Sequence, residues 1–213
     1  MSGEDIFRTV LRDSEETLEE KRSVFISAVR RVATEEEALA FIKERKKMHP
    51  DARHTVYAYL LRSGAARYSD DSEPQGTAGM PTLEAIRRTG LEDVAVATTR
   101  YFGGILLGAG GLVRAYAGAA HAALAAAGVS EYLPFTYYVI DCTYPDYQKI
   151  QPELARIGVV ERDTQFTDRV RIDVGIPSEK GAELCRRIEE LTSGRCLPRE
   201  IGRGMDLAPE KKE

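Results

Sequence analysis

The chain has 213 residues, of which 43% are hydrophobic and 30% are charged, and its formal net charge is −4. This composition excludes disorder, collagen and coiled-coil arrays, and the length suits one larger domain or two of about 100 residues. Residues 1–134 carry 17 Lys and Arg against 19 Asp and Glu, so overall positive charge cannot supply nucleic-acid binding, although a local basic patch remains open.

The first 134 residues predict alternating strands and helices. A hairpin or edge strand is expected around residues 19–26. The elements predicted after it are a helix opened by a Thr34/Glu37 capping box and ended at His49 and Pro50, a strand over 55–61, a polar turn over 69–79, a short helix with Pro81 in its first turn and Gly90 past its end, a strand over 94–99, and an alanine-rich helix over 111–127 closed by Gly128.

Pro134 is the predicted boundary between two domains, 1–134 and 135–206. The pattern beyond it indicates a strand over 137–143, a helix over 146–157, strands over 159–166 and 169–176, a helix over 179–191 and a strand over 196–201. This order is the repeated split β-α-β of ferredoxin-like domains, so the fold class is α+β. Residues 207–213 form a charged tail that we expect to be frayed.

The glycine-rich string RYFGGILLGAGGLVRAY follows the strand over 94–99. Glycines allow backbone amides to approach a ligand, a helix start adds unpaired N–H groups, and two arginines can clamp a phosphate. The alternative is that these glycines serve only tight turns and helix packing. The candidate anion- or nucleic-acid-binding residues are Arg100, Gly103, Gly104, Gly108, Gly110, Gly111 and Arg114.

The polar turn over 69–79 places three carboxylates within four residues. Such a cluster is able to hold a hard cation such as Mg²⁺, although its spacing is not that of a calcium loop. Two alternatives remain: the side chains cap the backbone of their own turn, or they pair with Arg100. The residues expected to share the cleft with the glycine string are Lys21, His54, Asp70, Asp71, Glu73, Gly76 and Thr77.

No other residues form a catalytic or metal-binding motif. The three histidines lack the spacing of a zinc hydrolase site, and no nucleophile elbow is present, so no catalytic residue and no cofactor are assigned. The three cysteines, Cys142, Cys185 and Cys196, are odd in number and are expected to be unbridged. The sequence has no apolar run of about 20 residues and no secretory signal, so we expect a cytoplasmic protein with no membrane partner.

Together these segments resemble the YigZ/IMPACT family of two-domain bacterial proteins. The resemblance covers residues 15–203 and rests on SDDSEPQGTAGMP, TTRYFGGILLGAGGLVRAY, KRSVFI and HPDARH. It implies an N-terminal domain of the type of the second domain of ribosomal protein S-five, also seen in small-molecule kinases, and a C-terminal domain similar to the last domain of elongation factor G. The family usually has glycine where this chain has Ser72, which argues against a positive φ there.

The resemblance and the glycine string predict a non-enzymatic protein that binds RNA or the ribosome and regulates translation. The resemblance implies that eukaryotic relatives regulate translation by opposing activation of a kinase through an added N-terminal domain, and we do not expect that kinase role here. One alternative is a kinase-like enzyme that binds a nucleotide or another phosphate-bearing small molecule, with Asp70, Asp71 or Glu73 holding Mg²⁺. Another is a pure protein-interaction module, with translation factors among its partners.

Overall fold

A computed structural model describes residues 6–209 as an α+β protein whose chain divides into two units. The N-terminal unit is Phe7–Ser130, and the C-terminal unit begins at Glu131 and includes Ile6. The division therefore falls before Pro134, which lies inside a strand that runs from Val129 to Cys142. Of the predicted tail, Leu207 ends the last strand, and residues 210–213 lie outside the described residues.

The N-terminal unit alternates strands and helices, as the sequence predicts, with additional short strands at residues 7–10 and 66–69. Its elements are β1 Phe7–Val10, β2 Ser14–Glu20, β3 Ser23–Arg31, α1 Glu35–Met48, β4 His54–Leu60, β5 Ala66–Ser69, α2 Gly79–Thr89, β6 Val94–Tyr101 and α3 Gly108–Ala127.

Strand β6 lies at the centre of an antiparallel sheet of order β2-β3-β6-β4-β5. Its side chains alternate between the two faces of the sheet. Val94 and Val96 pack with α2 and α3, whereas Ala95 and Ala97 pack with α1. Both faces of the sheet are therefore covered by helices, and this burial explains why β6 is apolar until its last residues.

The helix ends follow the predicted capping residues. Thr34 accepts a hydrogen bond from the amide of Glu37 at 3.2 Å, and the Glu37 carboxylate accepts one from the amide of Ala33 at 2.7 Å, which satisfies two free amides. Gly90 ends α2 with a φ of 66°. The start of α3 differs from the prediction, because the helix begins at Gly108 rather than at Gly111.

The C-terminal unit contains the predicted ferredoxin-like order. Its elements are β7 Val129–Cys142, whose first two residues belong to the N-terminal unit, α4 Tyr144–Ile157, β8 Val160–Phe166, β9 Val170–Pro177, a 3₁₀ turn at Ser178–Lys180, α5 Gly181–Thr192 and β10 Arg199–Leu207. Strand β9 pairs with β7 and β8, and β10 pairs with β7, all antiparallel. The resulting order, β10-β7-β9-β8, is the one that two interleaved split β-α-β units produce. The last strand begins later than predicted, at Arg199.

The C-terminal core lies between this sheet and its two helices. Ile140, Ile172 and Ile176 from the strands pack with Ile150 and Leu184 from the helices. Cys142 and Cys196 are also buried there as free thiols, and burial raises the pKa of Cys142 to about 11. Among residues 6–209, no helix combines the length and apolar character that a membrane crossing requires.

The two units are predicted to have separate cores. Ile172→Ala removes part of a fully buried side chain, and such a cavity costs about 2–5 kcal/mol. We expect faster hydrogen exchange in residues 131–209 and unchanged exchange in residues 7–130. Leu197→Ala, at a side chain that is 62% exposed in the same unit, serves as the control. Faster exchange in both units of the Ile172 variant would contradict separate cores.

Candidate functional site

The candidate residue Arg100 lies near the end of β6, opposite Phe25 of β3 and His54 of β4. Its side chain is only 8% exposed. The guanidinium carbon lies 5.5 Å from the ring centroids of both Phe25 and Phe102. Nη1 donates to Glu73 Oε1 at 2.8 Å, and Nη2 donates to Ser23 Oγ at 3.3 Å. The guanidinium of Arg100 therefore forms an ion pair inside the protein, and this pair limits its contact with molecules outside.

Glu73 receives a second hydrogen bond from α3. The Tyr116 hydroxyl donates to Glu73 Oε1 at 2.8 Å, and the Tyr116 ring meets Phe25 edge to face. Burial raises the pKa of Tyr116 far above its ordinary value, and the negative charge of Glu73 raises it further. The hydroxyl consequently keeps its proton and remains a donor. The buried carboxylate therefore accepts two hydrogen bonds at Oε1, one from Arg100 and one from Tyr116.

The other two acids of the polar turn also bond to protein groups. Asp70 accepts hydrogen bonds from the amides of Gly76, Ala78 and Gly79 at 2.8–3.0 Å, which stabilises the positive start of α2. Asp71 accepts from the Thr55 amide at 2.7 Å.

Lys46 Nζ donates a second hydrogen bond to the Asp71 carboxylate, at 2.8 Å. The three carboxylates thus bond to backbone amides and to cations of the protein. These are the contacts expected if the acids cap their own turn and pair with Arg100 rather than hold Mg²⁺. Within the described part of the chain, no three His, Cys, Asp or Glu side chains are grouped so as to hold a metal ion.

The backbone of the polar turn corrects the expectation for Ser72. Asp71 and Ser72 have φ values of 44° and 71°, so Ser72 adopts the left-handed conformation that the absence of glycine argued against. The tight turn is fixed by its partners: His54 Nδ1 donates to the Asp71 carbonyl at 2.7 Å, and Thr77 Oγ1 donates to the Pro74 carbonyl at 2.6 Å. These contacts offset the cost of a left-handed non-glycine residue.

The glycines of the string have different roles. Gly103 packs so closely on the β2–β3 turn that an added Cβ would lie 2.0 Å from the carbonyl carbon of Arg22, and its amide donates to Ser23 Oγ at 3.3 Å. Gly104 and Gly108 have φ values of 84° and 70°. Gly110 and Gly111 lie in the first turn of α3, where a Cβ on Gly110 would meet only Arg114 Nη1, at 3.6 Å.

Arg100 and Arg114 border different cavities, which corrects the expectation that they converge. Arg100 lines a cavity of about 200 Å³ with Arg53, His54, Phe102 and Leu106. Arg114 lines two other cavities, one with Leu18 and Glu20 and one between α2 and α3, and neither includes Arg100. The reason is geometric: α3 begins three residues earlier than predicted, so Arg114 lies about 9 Å along the helix from its first residue, while Glu73 holds Arg100 inward.

Around Arg100, exposed cations and apolar side chains form what we call the basic–aromatic face. Phe102 is 51% exposed and Leu106 is 83% exposed. Among residues 6–209, Lys21, Arg22 and Arg53 have no ion-pair partner. The face comprises Arg53, His54, Phe102 and Leu106 at the cavity, together with Lys21 and Arg22 of the adjacent β2–β3 turn, whose backbone packs on Gly103.

The sequence did not single out four residues that the structure brings to this place: Ser23, Arg53, Phe102 and Tyr116. Ser23 and Tyr116 bond to the buried ion pair, whereas Arg53 and Phe102 line the cavity. Phe102 and Tyr116 lie within the glycine-rich string, and aromatic residues beside its glycines and arginines are the sequence signal that could have identified them. For Ser23 and Arg53 only proximity in the fold reveals the role.

The fold and the site define a class of protein: a two-domain α+β protein with a ferredoxin-like C-terminal unit and a buried arginine–glutamate pair beneath a basic–aromatic face. Two family models match the chain. The Impact N-terminal domain matches residues 21–124, and a domain of unknown function (DUF1949) matches residues 140–195.

Curated relatives match most of the chain. IMPACT family member YvyE from Bacillus subtilis (strain 168) is 34% identical over 88% of this chain and 87% of its own. IMPACT family member YigZ from Escherichia coli (strain K12) is 33% identical over 82% of this chain and 87% of its own. A solved structure described as that of a hypothetical protein is 30% identical, covers 93% of this chain and 98% of its own, and has a TM-score of 0.60. This chain belongs to the IMPACT family.

Breaking the buried ion pair is expected to destabilise the N-terminal unit. Glu73→Ala leaves Arg100 buried without its counter-ion, and losses of this kind cost about 3–5 kcal/mol. Glu84→Ala is the matched control, because Glu84 pairs with Arg87 at an exposed position on α2, where a pair contributes about 0–1 kcal/mol. Urea denaturation measures both, and equal losses would contradict the role of the buried pair.

The two kinds of glycine are expected to respond in opposite ways to substitution by alanine. Gly103→Ala forces the β2–β3 turn to move and should cost about 1–3 kcal/mol, the usual range for overpacking. Gly110→Ala adds a Cβ in α3 whose one near neighbour is Arg114 Nη1, at an ordinary contact distance of 3.6 Å, and should gain up to about 1 kcal/mol through helix propensity. Thermal unfolding of both variants checks this, and a stable Gly103 variant would show that the close packing is not required.

Proposed function

We propose that the protein binds single-stranded RNA through the basic–aromatic face and acts as an RNA- or ribosome-associated regulator of translation rather than as an enzyme. The observation that carries the proposal is the half-exposed ring of Phe102 beside a cavity lined by Arg53, His54 and Arg100. Single-stranded nucleic acids are bound by this combination: aromatic rings stack on bases, and cations hold the phosphates.

The β2–β3 turn supports a binding role for this face. Lys21 and Arg22 form its two central residues, between the paired Glu20 and Ser23, and both have positive φ, 48° and 65°. Two-residue hairpin turns of this kind favour Asn-Gly, because other residues pay a conformational cost. Two exposed cations held in a strained turn next to Gly103 fit selection for contact with an anion rather than for stability.

One fixed and one exposed cation border the cavity. Within the described residues, Arg100 Nε is buried and has no hydrogen-bond partner, whereas Nη1 and Nη2 are bonded to protein. Arg53 is exposed and unpaired. Arg100 would add positive charge at the cavity wall, and the exposed Arg53 would neutralise the backbone phosphates.

A local RNA site at this face is compatible with the negative net charge of the chain. A net charge of −4 gives little non-specific attraction, so affinity must come from stacking and a few phosphate contacts, and the salt dependence should be shallow. The kinase-like alternative has less support, because Asp70, Asp71 and Glu73 are each already bonded to amides or cations of the protein.

Replacing the exposed ring is expected to weaken RNA binding without unfolding the protein. Phe102→Ala should reduce affinity for a labelled oligouridine of about 12 nucleotides by about 1–3 kcal/mol, the usual value of one stacked base. Arg53→Ala should lower affinity and reduce the salt slope by about one. Fluorescence anisotropy at about 50 and 200 mM salt measures both effects.

Phe166→Ala is the matched control, since Phe166 is 57% exposed but belongs to the C-terminal unit. Its affinity should equal that of the unsubstituted protein. Equal losses in the Phe102 and Phe166 variants, or no saturable binding of the oligouridine by the unsubstituted protein, would refute the proposed site.

A further inference from the structure

A larger cavity, of about 730 Å³, lies between α2 and α3, and Arg100 and Phe102 do not line it. Its apolar walls are Met80, Pro81 and Ala85 from α2 and Val113 and Ala117 from α3. Pockets of about 300–1,000 Å³ with mainly apolar walls are typical sites for small molecules. The cavity therefore has the size and lining of a ligand site, and it belongs wholly to the N-terminal unit.

Small residues keep this cavity open. Pro81 and Ala85 lie four residues apart on α2, as do Val113 and Ala117 on α3, so each pair lies along one helix face. On the neighbouring helix faces, Ile86 of α2 packs in the same hydrophobic core as alanines and a leucine of α3. The shared core holds the helices together, and the space beside Ala85 and Ala117 remains as a cavity.

The charges at the rim are predominantly positive and are not neutralised. Two arginines, Arg88 and Arg114, line the cavity together with His121, and among residues 6–209 none of these three side chains has a hydrogen bond or ion pair. The acid at the rim, Glu84, already pairs with Arg87 at 2.8 Å. An apolar floor beneath unpaired cations is complementary to a molecule with an apolar body and one anionic end.

We propose that this cavity binds a small amphipathic acid: a ligand whose hydrocarbon or aromatic body lies between Ala85 and Ala117 and whose carboxylate is held by Arg88 and Arg114. Arginine forms bidentate bonds with a carboxylate, which fixes the orientation of the ligand. A nucleic-acid backbone does not suit this place, since it would leave the apolar walls without a partner. The site is independent of the proposed RNA site, because its lining contains no residue of the basic–aromatic face.

Calorimetric titration with decanoate and with decanol tests both halves of the proposal, since the two probes differ only in the charged end. We expect saturable binding of decanoate that is at least about tenfold tighter than that of decanol. In the double variant Arg88→Ala/Arg114→Ala, decanoate should lose about that factor while decanol binding stays the same. Arg186→Ala, which removes an exposed helix arginine of the C-terminal unit, is the control and should change neither.

Filling the cavity tests its location. Ala117→Phe should abolish binding of both probes, and Ala85→Leu should do so from the opposite wall if the first variant folds poorly. Ala125→Phe adds the same ring at an exposed position on α3 and should leave binding intact. The proposal is overturned if decanoate does not bind, if decanol binds as tightly, or if the filled variants still bind. It is equally overturned if Ala117→Phe instead converts a dimer to a monomer, since the cavity would then be an interface between copies.

Discussion

The buried ion pair between Arg100 and Glu73 is the interaction on which the N-terminal unit depends. It joins the end of the central strand β6 to the polar turn before α2. Ser23 adds the start of β3 and Tyr116 adds α3, so four segments that are distant in the chain meet at one guanidinium and one carboxylate. A pair this deeply buried has a large desolvation cost, and the bonds of Ser23 to Nη2 and of Tyr116 to the carboxylate offset part of it, while Arg100 Nε stays without a partner.

This constraint explains how an exposed apolar loop is tolerated. The loop after β6 leaves Phe102 and Leu106 in solvent, which ordinarily favours aggregation or collapse onto the core. Its ends are fixed: Arg100 is anchored by Glu73, Gly103 packs on the backbone of Arg22, and Leu107 joins the core around Phe25 and Tyr116. The rigid base therefore presents the basic–aromatic face in one arrangement, and preorganisation of this kind reduces the entropy lost on binding.

The proposed RNA site and the cavity between α2 and α3 use the same helix in different ways. Tyr116 on one face of α3 completes the buried cluster, whereas Val113 and Ala117 on another face line the cavity. The small residues of α3 allow this division, since Ala120 and Ala123 let the helix pack closely on the sheet and on α2. A single alanine-rich helix thus contributes to both the buried cluster below the proposed RNA site and the cavity proposed to bind a small molecule.

The sequence by itself determined the α+β class, the ferredoxin-like order and most of the helix ends, because apolar periodicity and capping residues act locally: Thr34, Gly90 and Gly128 mark boundaries wherever the chain goes. It also identified Arg100 and Glu73. Only the tertiary structure decided what they do. Whether Arg100 faces a phosphate or a carboxylate depends on which segment lies beside it, and Glu73, Ser23 and Tyr116 come from positions 27, 77 and 16 residues away. The separation of Arg114 from Arg100 could not be predicted from the sequence either, because a three-residue shift in the start of α3 changes which cavities its side chain lines.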